Sequence, residues 1–170
     1  MSSESGSRDD LNGRLAGVPD ATDAKIIAEL QQDGRISVRA LAERAHISRA
    51  NAYARITRLV EQGTIAGFTV RLDPRRMGLG TTAYVGITID QTAWRAIAAR
   101  LRDIPYIEHF ALIGGEHDVL ALVRAPDNAA LRDVVLDRIQ DIPGVRSSRT
   151  WLVFEEQQGR GVPWDRADDR

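Results

Sequence analysis

Apolar residues at Ile26, Ile27 and Leu30 keep helical spacing, and Asp33-Gly34-Arg35 ends that helix. A second helix is predicted from Ser37 as N-cap, with Val38, Leu41, Ala42 and Ala45 turned inward. After a turn at His46-Ile47, a third helix runs from the N-cap Ser48 to Gln62-Gly63 and buries Ala52, Ile56 and Leu59. Three short helices sharing one apolar face make a compact bundle. The β-prone run from Ile65 to Leu72 predicts a short strand or wing behind them. Pro74, Gly78 and Gly80 then interrupt every periodic pattern, which marks 73–81 as a linker and 18–72 as the first domain.

Beyond the linker the pattern repeats. Asp103-Ile104-Pro105-Tyr106-Ile107 returns as Asp141-Ile142-Pro143-Gly144-Val145, and Ala83-Tyr84-Val85 returns at the same offset as Ala121-Leu122-Val123. Each half therefore reads strand, helix, strand. The first comprises Ala83 to Ile89, a helix with Trp94, Ile97, Ala98 and Leu101 inward, and Ile107 to Ile113. The second comprises Val119 to Arg124, a helix with Leu131, Val134, Val135 and Ile139 inward, and Val145 to Phe154. This βαββαβ order predicts a ferredoxin-like domain over 82–156, and the three helices, the turn at His46-Ile47 and the wing behind them predict an N-terminal winged helix-turn-helix domain, which together make an α+β chain. Helices on one face of such a sheet leave the other in need of cover. Phe110, Leu112, Leu120, Leu122, Leu152 and Phe154 are the expected residues of that open face, and a second copy packed on it predicts a homodimer.

Composition narrows the chemistry. Apolar content of 43% and 28% charged residues are ordinary for a folded domain. The absence of cysteine excludes disulfides, thiol nucleophiles and Cys-ligated metals. No run approaches the ~18 apolar residues of a membrane span, and MSSESGSRDD lacks the features of a secretory signal, which points to the cytoplasm. Residues 1–17 and 157–170 have no periodicity and read as mobile tails, with Trp164 a candidate anchor. Charge is segregated: residues 18–72 hold eight basic and six acidic groups, residues 81–156 eight basic and eleven acidic.

The positive charge concentrates between Arg44 and Val60, which hold four arginines and no acid. Two helices meeting at a tight turn, the second rich in arginine, are how helix-turn-helix proteins enter the major groove of double-stranded DNA. On the third helix the core stripe leaves Ala50, Asn51, Ala54, Thr57 and Arg58 outward, with Arg55 on the boundary and suited to bridge an acid such as Glu61. The expected DNA-binding set is Ser37, Ser48, Arg49, Ala50, Asn51, Ala54, Arg55 and Arg58. Asn can pair adenine and Arg guanine there. An ordinary solvated helix face is the alternative for any single arginine, but the turn, the caps and the charge segregation agree on DNA.

The loop Gly114-Gly115-Glu116-His117-Asp118 joins the two halves of the second domain. It reads either as a glycine hairpin with solvated charges or as a polar cradle, whose amides take a carboxylate while Glu116 or Asp118 takes an ammonium, as a free amino acid would require. His117 has neither the neighbours of a metal ligand nor a nucleophile to serve as base, and His109 on a strand reads as structural. No catalytic residue, metal or cofactor is expected.

Taken together, Asp23, Ile26-Ile27, Leu30, Asp33-Gly34-Arg35, Leu41-Ala42, Ile47-Ser48, Arg55-Ile56, Arg58-Leu59, Gly63, Ile65 and Gly67-Phe68 resemble the Lrp/AsnC regulators. Gly115-Glu116-His117-Asp118 resembles that family's effector loop, and Pro143-Gly144-Val145 with Arg149-Thr150-Trp151 the end of its sensor domain. The similarity covers residues from about 19 to about 156. Pro19-Asp20, Arg49 and the C-terminal tail depart from the common pattern. The resemblance implies a transcriptional regulator that dimerises, assembles further, typically to an octamer, and binds an amino-acid effector at Gly114, Gly115, Glu116, His117, Asp118 and Thr150. An architectural DNA-wrapping protein without effector, and more remotely an enzyme on the ferredoxin-like domain, are the alternatives.

Overall fold

The computed structural model describes residues 18–157 and Gly159. The expected tail at 1–17, and Trp164 with the end of the other tail, lie outside the described residues. Two compact units divide the chain, one ending at Val70 and the other beginning at Arg71.

The first unit holds α1 (Ala21–Gln32), α2 (Val38–Ala45) and α3 (Arg49–Glu61). Each has a side-chain N-cap. Asp20 and Asp23 cap α1 reciprocally, Ser37 Oγ accepts from Ala40 N–H at 3.2 Å, and Ser48 Oγ accepts from Asn51 N–H at 3.2 Å. Ile26, Leu41, Ala45 and Leu59 are the buried centre, with Ile27, Leu30, Ile36, Ile47, Ile56 and Ile65 packed around them. The predicted strand from Ile65 to Leu72 does not form. Ile65 N–H turns back to Leu59 O at 3.0 Å, and Phe68, Val70 and Leu72 extend into solvent. A strand needs a neighbouring edge for its ladder, and among the described residues of this unit no other segment forms a strand that would supply one.

In the second unit, residues 73–80 form a turn rather than a free linker, closed by Leu79 N–H to Pro74 O (2.8 Å) and tied by Gly80 N–H to Pro126 O (3.2 Å). Then follow β1 (Thr81–Ile89), a 3-10 turn at Gln91–Ala93, α4 (Trp94–Arg102), β2 (Ile107–Leu112), β3 (Val119–Ala125), α5 (Asn128–Asp133) widening into a π-turn over Val134–Ile139, and β4 (Val145–Leu152). The sheet is antiparallel in the order β2-β3-β1-β4, the ferredoxin-like arrangement. Alternate residues of β1 (Ala83, Val85, Ile87, Ile89) and β3 (Val119, Ala121, Val123, Ala125) meet Ile97 and Leu101 of α4 and Leu131, Val134, Val135 and Ile139 of the second helical segment in one core.

The open sheet face differs from expectation. Leu120 and Leu122 lie on it, but Phe110 and Leu112 pair with core residues Ala121 and Val119, and Leu152 pairs with Ala83, so these three face the helices. Phe110 packs edge-on against Trp94 of α4, ring centroids 6.2 Å apart. The cause is two bulges, between Ile107 and His109 on β2 and opposite Thr88/Ile89 on β4. Each inserts one residue and reverses the phase of everything after it. Phe154 lies past the end of β4 and is exposed. The open face is instead built from Tyr84, Gly86, Leu120, Leu122, Ala111, Arg149 and Trp151.

Candidate nucleic-acid interface and effector loop

The turn before α3 is shaped by the backbone. His46 ends α2 in the left-handed region (φ 56°, ψ 44°), a conformation that histidine adopts more readily than most non-glycine residues. Ile47 N–H reaches back to Ala42 O at 3.0 Å, so the chain reverses at once and Ser48 starts α3. Arg49, Ala50, Asn51, Tyr53 and Ala54 face outward from the first two turns.

Arg55 and Arg58 are placed differently. Arg55 Nη1 donates to Asp20 Oδ2 (2.7 Å) and Asp23 Oδ1 (2.8 Å), its Nε donates to Asn51 Oδ1 (3.0 Å), and Arg58 Nη2 donates to Asp23 Oδ2 (2.6 Å). The acid expected for Arg55 was Glu61, and that expectation is corrected: a residue six positions along the same helix lies off its face, whereas α1 brings two carboxylates directly to it. Asp23, with 1% of its side chain exposed, is the buried charge around which α1 and α3 lock. Burial pushes its carboxyl up, but hydrogen bonds from Arg58 and Arg55 outweigh this and hold it below the usual carboxylate range. Hydrogen bonding from Arg55, chiefly, lowers Asp20 as well.

In the second unit, Gly114 to Asp118 link β2 to β3. Gly115 has φ +143°, a backbone region open mainly to glycine. Asp118 is structural: its carboxylate accepts from Ile89 N–H (2.9 Å) and Gln91 Nε2 (2.9 Å), and these bonds, the backbone one first, hold its pKa down. Glu116 points the other way and pairs with Arg149 Nη1 of β4 at 3.0 Å, both side chains well exposed. Between them the His117 ring lies over Gly86 and meets Trp151 edge-on, centroids 5.3 Å apart. His117 Nδ1 is 3.5 Å from Thr88 Oγ1, and its Nε2 is buried without a hydrogen-bond partner. Thr150 stands opposite the core residue Val85, hence on the helix-bearing face and away from this cluster.

Comparison with known proteins matches the two domains to families already described. Residues 19–66 match the model for winged helix-turn-helix DNA-binding domains, and residues 82–161 match that for the Lrp/AsnC ligand binding domain. The chain belongs to the Lrp/AsnC family. The leucine-responsive regulatory protein of Salmonella typhimurium is 34% identical over 140 residues, spanning 81% of this chain and 85% of that protein. The proline dehydrogenase transcriptional activator of Rhizobium radiobacter is 31% identical over 146 residues, spanning 84% and 94%. Among solved structures, a Neisseria meningitidis transcriptional regulator in complex with L-Met superposes with TM-score 0.78 at 28% identity, covering 83% of this chain and 93% of that one.

As an Lrp/AsnC protein the chain is a DNA-binding transcriptional regulator carrying a ligand-binding domain, and it is not an enzyme. Of the residues singled out in the sequence, Arg49, Ala50, Asn51 and Ala54 share one exposed surface of α3, with Ser48 at its start. Glu116, His117 and Asp118 share one loop but point to three different neighbours. Asp20, Asp23, Gly86 and Tyr53 were not singled out for a site, although Asp20 and Asp23 announce themselves as a helix N-cap with its reciprocal third residue. No helix among the described residues is long and apolar enough to cross a membrane.

Proposed function

We propose that this Lrp/AsnC protein is a cytoplasmic, sequence-specific regulator that binds double-stranded DNA as a homodimer or a larger assembly of dimers, such as an octamer. A free amino acid bound beside Gly114, Gly115 and Glu116 shifts its assembly. The observation that carries the effector reading is the Glu116–Arg149 pair. An acid and a guanidinium 3.0 Å apart, both exposed, match the ammonium and carboxylate of an amino acid. An exposed ion pair contributes about 0–1 kcal/mol, so a zwitterion that replaces it with two charge-assisted contacts gives up little. The L-Met bound to the Neisseria regulator supports the same ligand class.

Assembly is supported by the open sheet face, where Tyr84, Leu120 and Trp151 present apolar surface on one side of a four-stranded sheet. Two recognition helices related by a dimer axis reach successive major grooves, so half-sites fall about one helical turn apart. The effector moves the assembly equilibrium only by its differential affinity for the two states.

Sedimentation velocity of the full chain, with each proteinogenic amino acid in turn, tests this reading. At least one amino acid is expected to change the distribution of species, and the double variant Glu116→Ala/Arg149→Ala is expected to keep the ligand-free distribution and lose the response. A distribution that no amino acid moves, with DNA affinity equally unmoved, removes the effector from the account and favours an architectural protein.

A further inference from the structure

Arg55 and Arg58 carry the charge that a sequence-based reading aims at DNA, yet both guanidinium groups are turned to Asp20 and Asp23 of α1. Asn51 Oδ1 is likewise occupied by Arg55 Nε. On the first two turns of α3 the exposed side chains not taken up in this way are Arg49, Ala50, Tyr53 and Ala54. Arg49 pairs with no acid among the described residues. Tyr53 is 65% exposed, one helical turn after Arg49, with Ala50 and Ala54 beside it.

A bulky aromatic on a helix normally faces the core; here the core stripe is Ala52, Ile56 and Leu59, and Tyr53 stands off it. Two alanines next to the ring keep the helix surface low, so the backbone can approach the floor of the major groove. In that groove the chemistry that suits a flat apolar ring with a hydroxyl at its tip is the thymine C5-methyl group, with the O4 acceptor beside it. Arg49 supplies the complementary contact, to guanine or to phosphate.

We propose that Tyr53 is the specificity-determining residue of this recognition helix, reading the C5-methyl of a thymine, while Arg55 and Arg58 are positioning residues that orient the helix through Asp23. The inference rests on the sequence-specific DNA-binding reading above and deepens it.

The full chain is used to select duplexes from a random library, and the selected duplex is then measured against a scrambled one by anisotropy. Tyr53→Ala is expected to bind the selected duplex about tenfold more weakly, the scale of one mismatched base pair, and the scrambled duplex as well as before. Replacing the contacted thymine by deoxyuridine removes one methyl. It is expected to cost the wild type and Tyr53→Phe about fourfold, and Tyr53→Ala nothing. Because Tyr53 makes no core contact, unchanged melting curves are expected for both variants. Two results overturn the proposal and leave sequence-specific binding intact: Tyr53→Ala with an undiminished preference, or Tyr53→Ala weakened equally on both duplexes. A wild-type chain that selects no motif overturns the proposal together with the reading beneath it.

Discussion

Replacing Asp23 by alanine is expected to destabilise the helix-turn-helix domain by about 3 kcal/mol and to weaken DNA binding with it, while the C-terminal domain stays folded. Asp23 is the one buried charged side chain among the described residues, and it receives both Arg55 and Arg58. Removing one partner of a buried ion pair costs about 3–5 kcal/mol, because the charge left behind has lost both water and partner. Arg55 and Arg58 are partly wetted, so the loss falls toward the lower end of that range. A domain of about fifty residues has only roughly 3–8 kcal/mol to lose. The same pair gives the wild type a specific acid sensitivity. A carboxyl whose folded pKa lies below its unfolded value contributes its full stabilisation above the unfolded value, about 3.9, and loses it as pH falls through the folded one. The N-terminal domain is therefore expected to weaken below about pH 4, while between about pH 5 and 8 Asp23 stays ionised and contributes a stabilisation that does not change with pH. Circular dichroism melts of wild type and Asp23→Ala across this range check both statements. An Asp23→Ala protein that melts like wild type at neutral pH would remove the clamp from the account.

Valine at Gly86 is expected to leave DNA recognition by the first domain intact and to eliminate the response to effector. A Cβ at this position would sit 2.4 Å from His117 Cδ2 and 2.8 Å from Trp151 Cζ3, both impossible contacts. Gly86 is in β1, held between β3 and β4, so the backbone cannot yield and the two rings must move. Overpacking of this kind costs about 1–3 kcal/mol. The core lies on the opposite face and survives, so the domain stays folded with a lower melting temperature. The displaced His117 pulls on Asp118, whose carboxylate anchors the loop to Ile89 and Gln91. A red-shifted tryptophan emission and loss of any amino-acid-dependent change in sedimentation are the readouts. Gly114→Ala is the control for the packing cost alone: its Cβ meets nothing within 4 Å, so its melting temperature should stay close to that of the wild type. An unaltered effector response in Gly86→Val would show that the His117–Trp151 stack has no part in the site.

Much of this was legible in the residues themselves. Helical spacing, N-caps and the internal repeat report local structure, and local structure is what the chain's own periodicity encodes. The strand-helix-strand repeat carried the topology because each half repeats the other's pattern. What failed was phase and distance. A β-bulge adds a residue without changing composition, so alternation read from Ile107 or Val145 assigned Phe110, Leu112 and Leu152 to the wrong face. The contact of Asp23 with Arg55 and Arg58 spans more than thirty positions, and nothing in either segment announces it. Gly86 looked like any glycine within a strand until His117 was seen above it. The β-prone segment ending at Leu72 shows the limit in the other direction: propensity was present, but among the described residues no neighbouring edge pairs with it.

The central claim is that α3 reads a DNA sequence and that the second domain makes this reading respond to an amino acid. Fluorescence anisotropy of the full chain tests it most directly, on its own upstream DNA and on a scrambled duplex, at two salt concentrations, with and without pooled amino acids. The predicted result is tighter binding to its own DNA, affinity for both duplexes falling with salt as contacts of Arg49 with phosphate require, and a preference that the pool alters. Equal binding to both duplexes, unmoved by the pool, would contradict it.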